Sequence, residues 1–111
     1  MIEITIRKYL EKSLELPVLL EKKSGLTGNF VLIEKVGSNS KNKLGGSRFA
    51  VQSYADSMNN AAVLNHEVIK AMEEIVRLDE IVSCKLNSDY NFTDTTTKQY
   101  RYQAVFDIKH Y

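Results

Sequence analysis

Tryptophan is absent from this chain of 111 residues, proline and cysteine occur once each, and histidine occurs twice. Each scarcity excludes something. A lone Cys84 cannot close an internal disulfide, so cysteine usage gives no sign of an oxidising compartment. A catalytic thiol would need an activating base, and the sequence singles out none; Cys84 is expected to pack as a small hydrophobe. His66 is followed by Glu67, but the zinc motif His-Glu-x-x-His needs a histidine where Lys70 stands. His110 has no evident partner. No apolar run approaches the roughly 20 residues of a spanning helix. The opening stretch, Ile2 to Leu16, is interrupted by charges, unlike a signal peptide. Charge of one sign is also missing. Fifteen basic residues against fourteen acidic ones leave a net charge of +1, whereas a dedicated nucleic-acid binder is strongly basic. A chain of this length forms one domain, 1–111, of radius of gyration about 13 Å. The expected setting is a reducing cytosol or a particle assembled there.

What is present is periodic. Met58 to Leu78 contains neither Gly nor Pro, and Ala61, Leu64, Val68, Met72 and Ile75 recur at the spacing of one helix face. Asn65, Lys70, Glu73, Glu74 and Arg77 fall mostly on the other side. Asp56 or Ser57 supplies the N-cap. Ile2 to Leu14 reads as a second amphipathic helix, with Ile2, Ile6, Tyr9 and Leu10 on one face, and Pro17 ends the segment.

The remaining segments read as strands. Val18 to Lys22 is short, and Ser24 to Asn29 is a turn cluster. Phe30 to Val36 and Arg48 to Ala55 are rich in strand formers. Between them, Gly37 to Ser47 is expected to be a flexible, slightly basic loop, long for a hairpin connection. Ile81 to Asn91 and Tyr100 to Tyr111 are long alternating strands joined by a polar connector, Phe92 to Gln99. Helix, three strands, long helix and two strands predict an α+β fold. It has a mainly antiparallel sheet of about five strands, with the long central helix and the N-terminal helix packed on one face.

The alternation also selects a register for the C-terminal hairpin, 81–111. With Tyr90 opposite Tyr100, Leu86 faces Ala104, Cys84 faces Phe106, Val82 faces Ile108 and Asp89 faces Arg101. Twelve extended residues span roughly 40 Å, against about 34 Å for a uniform sphere of the expected radius. The hairpin is therefore expected to project beyond the core, with its tip at Asp94 to Lys98 standing free. No carboxylate pair, phosphate loop or metal cluster emerges, so no catalytic, cofactor or metal site is expected, and the chain is not read as an enzyme. Six tyrosines and the cations Lys85, Lys98 and Arg101 leave one alternative: a small non-enzymatic module binding RNA or peptide through its aromatic hairpin.

Leu86 to Asp94, reading Leu-Asn-Ser-Asp-Tyr-Asn-Phe-Thr-Asp, and Tyr100 to Asp107, reading Tyr-Arg-Tyr-Gln-Ala-Val-Phe-Asp, resemble the C-terminal hairpin of small tail-completion proteins of long-tailed phages and prophages. These are the tail terminators, or tail-to-head joining proteins, also called minor capsid proteins. Phe30 to Glu34, Phe49 to Ala55 and the Ala61-Ala62 opening of the long helix are similar in order. The resemblance implies a structural virion protein without catalytic residues. It implies a homo-oligomeric ring, typically of six subunits, at the head-proximal end of the tail. Its partners would be the tail tube protein and a head-completion or connector protein. Genome DNA would pass through the lumen without specific binding, no membrane would be involved, and assembly would take place in the host cytoplasm. Lys41, Lys43, Asp94, Lys98, Tyr100 and Arg101 are the interface residues expected on this reading.

Overall fold

A computed structural model describes residues 1–22, 25–41 and 44–111, with 38–41 and 44 described by backbone alone. The elements, in order, are helix α1 (Ile2–Leu14), strands β1 (Val18–Leu19), β2 (Phe30–Lys41) and β3 (Leu44–Ala55), helix α2 (Met58–Glu73), a 3₁₀ turn (Ile75–Arg77), and strands β4 (Ile81–Asn91) and β5 (Tyr100–His110). The architecture is α+β. One five-stranded sheet has the order β1-β2-β3-β5-β4, parallel at β1–β2 and antiparallel elsewhere.

Both helices lie on one face. Ile6 and Leu10 of α1 and Leu64, Val68 and Met72 of α2 enclose a core with Val31, Ile33, Phe49, Val51, Ala104, Phe106 and Ile108. At the start of α2, the Ser57 hydroxyl accepts from the Asn60 amide at 3.1 Å, satisfying one orphan donor of the first turn. The central helix is shorter than its apolar stripe. Regular α-helix stops at Glu73, and the 3₁₀ turn carries Ile75 into the core. Asn65 also departs from expectation: it is buried, and its Nδ2 donates to Asp89 Oδ1 at 2.7 Å.

The stretch 37–47 is the main correction. Residues 37–41 and 44–47 are not a loop but the continuation of the β2–β3 ladder, pairing Gly37 with Arg48, Ser38 with Ser47 and Lys41 with Leu44. Gly, Ser and Asn are weak strand formers. Here β5 supplies a second partner, pairing Gly45 with His110 and Ser47 with Ile108. Gly45 leaves room for the neighbouring ring, because a Cβ there would lie 2.6 Å from His110 Cε1 and the ring would have to move.

The C-terminal hairpin forms, but in a different register. Cys84 faces Ile108 and Leu86 faces Phe106, two positions away from the expected pairing. The faces therefore agree in this half, since side chains alternate with period two. Bulges between Ile81 and Ser83 and between Leu86 and Ser88 then shift the pairing again. Beyond the second bulge Asp89 faces Ala104 rather than Arg101. This places it on the helix side, within reach of Asn65. A bulge adds an unpaired residue, and strand alternation alone does not reveal it.

Nor does the hairpin project. The molecule measures 43 × 25 × 23 Å with a radius of gyration of 13.7 Å. β5 runs along its length as an interior strand, flanked by β3 from Ala55 to Gly45 and by β4. The long free edges belong to β4 and to β2 beyond Leu32.

Candidate functional site

The face turned away from the helices carries the polar chemistry. At one end Phe30 and Tyr54 stack with ring centroids 4.4 Å apart. Arg101 lies over Phe92 at 4.4 Å and beside Tyr54 at 5.8 Å. Its Nε donates to the Phe92 carbonyl at 2.6 Å and its Nη1 to the Tyr54 hydroxyl at 3.0 Å. A hydrogen-bond chain then crosses three strands. Tyr54 donates to Gln52 Oε1 at 3.0 Å, Gln52 Nε2 donates to Gln103 Oε1 at 2.8 Å, and Gln103 Nε2 donates to the Tyr90 hydroxyl. Gln52 is 6% and Gln103 9% exposed. Each amide so deep must have its partners, and the chain supplies them.

At the other end, Arg48 Nε meets Asp107 Oδ1 at 2.7 Å, and Asn87 Nδ2 donates to Asp107 Oδ2 at 3.0 Å. The Arg48 contact holds the Asp107 carboxyl below the usual carboxylate range and raises the Arg48 guanidinium. A shallow hollow of about 400 Å³ lies beside the pair, lined by Gly37, Gly46, Ser83, Lys85 and Lys109. On the helix side, burial pushes the Cys84 thiol up to about 12, with Asp107 adding to the shift. The thiol is therefore neutral and unreactive at physiological pH. Among the described residues no cluster of three metal-ligating side chains occurs, and no helix is long and apolar enough to cross a membrane.

The expected interface residues divide between the two ends of the sheet. Asp94, Lys98, Tyr100 and Arg101 gather around the β4–β5 connection. Asp94 Oδ1 accepts from the Thr96 amide at 3.0 Å and the Thr97 amide at 3.4 Å, which lowers its pKa. Lys98 is exposed, with φ 55°, and Tyr100 pairs with Ala55. The backbone of Lys41 pairs with Leu44 at the far end of the sheet, so it cannot share a patch with the other four. The Lys41 side chain and the whole of Lys43 lie outside the described residues. Sequence reasoning missed Tyr54, Gln52 and Gln103 as a connected set. The available signal was a glutamine on the polar side of each of two neighbouring strands.

A scan against protein-family models and a search of the curated proteins find no match to this chain.

Proposed function

We propose that this protein is a structural, non-enzymatic virion component. It forms a ring at the head-proximal end of a phage tail, ends tube polymerisation there and joins tail to head. The tail tube protein, a head-completion or connector protein and further copies of the chain are its partners. The ring forms on tails assembled in the host cytoplasm, and genome passes through its lumen without specific contacts.

The resemblance of the C-terminal hairpin motivates this reading, and one observation carries it. Both sides of the sheet are open among the described residues. β1 pairs only with Val31 and Leu32, leaving the rest of β2 free, and nothing pairs with the outer side of β4. Three successive antiparallel pairings make β2 and β4 antiparallel to each other. One copy can therefore follow another head to tail, the heterologous contact that generates rings.

The aromatic-module alternative is weaker. Arg101 already covers Phe92, and Phe92 meets Tyr90 edge-on at 89°. Few ring faces remain for stacking bases. Electron microscopy of particles lacking the protein tests the assignment. Tails of uncontrolled length, or separate heads and tails, are expected; normal virions would refute it.

A further inference from the structure

The two open edges carry irregularities at neighbouring heights. Following the pairings across the sheet, Leu86, Phe106, Phe49 and Lys35 lie on one line. The line on one side joins Lys85, Asp107, Arg48 and Gly37; the line on the other joins Ser88, Val105, Ala50 and Glu34. β2 inserts its extra residue, Val36, between the first two lines, and β4 inserts Asn87 between the first and third. The kinks are thus one ladder step apart on opposite edges. A bulged edge repels a flat strand, which is how monomers protect themselves. An edge kinked within one ladder step meets less of an obstacle, so the same device that rejects foreign strands accepts a second copy.

The exposed side chains are complementary in the same frame. Val36 is 50% exposed on one edge and Leu86 46% on the other. When a second copy continues the sheet without a shift, Leu86 meets Lys35 of the next copy on the helix face, while Val36 borders the open face beside Gly37 and Arg48. Glu34 of one copy then lies diagonally from Lys85 of the next on the open face, and Lys35 from Asp89 on the helix face. Long side chains reach such diagonal neighbours. Among the described residues Glu34, Lys35 and Lys85 make no ion pair.

We infer that the outer edge of β4 receives residues 33–37 of β2 from a second copy, antiparallel and with Lys35 beside Leu86. This contact rests on the ring reading and specifies its interface. It is tested with Lys35→Cys/Leu86→Cys in a Cys84→Ser background. The protein is oxidised alone at high concentration and again with tail tubes present. A covalent ladder of multimers is expected, because a disulfide requires Cα atoms within about 7 Å. Lys35→Cys/Val82→Cys, several ladder positions out of register, should remain monomeric. Lys85→Glu should weaken assembly and Lys85→Glu/Glu34→Lys should restore it, with circular dichroism verifying the fold of each variant. The inference is overturned if the matched pair stays monomeric under both conditions, or if the out-of-register pair links equally well. The two ideas fail separately. Cross-linking together with normal virions in the deletion strain removes the tail assignment and keeps the edge contact. Defective tails without cross-linking do the reverse.

Discussion

Phe49 and Phe106 are sealed beneath two helices; Gln52 and Gln103, on the opposite face of the same strands, are almost as buried with no helix above them. The helix side excludes water by apolar area, at roughly 25 cal/mol per Å². The open side does so by neighbouring side chains locked into a directed chain from Arg101 to Tyr90. The two means respond differently to mutation. An apolar core tolerates loss of any one contact in proportion to the cavity left. A hydrogen-bonded chain suffers most when one partner is removed and the other is stranded.

The largest expected effect is on the helix side. Phe106→Ala should lower unfolding free energy by about 3–5 kcal/mol, measured by urea denaturation. A loss within experimental error would show that face not to be the core. On the open side, Gln103→Ala strands Gln52 and should cost about 1–3 kcal/mol. The Gln52→Leu/Gln103→Leu pair should recover most of that. If the double variant is worse than the single, the chain is not what keeps this face closed.

Gly45→Ala is expected to cost about 1 kcal/mol. Its Cβ would displace the His110 ring, which lies 3.1 Å from the Ser47 hydroxyl through Nε2. In a His110→Ala background the same change should be nearly silent in thermal unfolding; an undiminished effect would point to backbone strain instead.

Smallest is Asp107→Asn, below about 1 kcal/mol for an exposed, solvent-screened pair. Its sign with pH is set by the carboxyl's lowered folded pKa. The stabilisation is fully present above the unfolded value of about 3.9. It is lost as pH falls through the folded value. Wild type and variant should therefore converge in acid unfolding curves, and a gap that widens below pH 4 would contradict the Arg48 contact. As a check on the helix side, Cys84 should resist alkylation at neutral pH until the protein is unfolded.

The sequence by itself determined the elements whose signal is local. Ile2–Leu14 and Ile81–Asn91 have the bounds read from periodicity, and the stripe from Ala61 to Ile75 does face the core. Each of these depends on residues a few positions apart along one segment. Tertiary structure decided the rest. Gly37 to Lys41 and Leu44 to Ser47 have no strand signal of their own. They pair because β2, β3 and β5 are already aligned, and backbone groups beside a partner strand hydrogen-bond to it whatever side chains they carry. The bulges in β4, the interior place of β5 and the meeting of Gln52 with Gln103 have the same origin. They depend on which strand lies alongside, and that neighbour comes from tens of residues away in the chain.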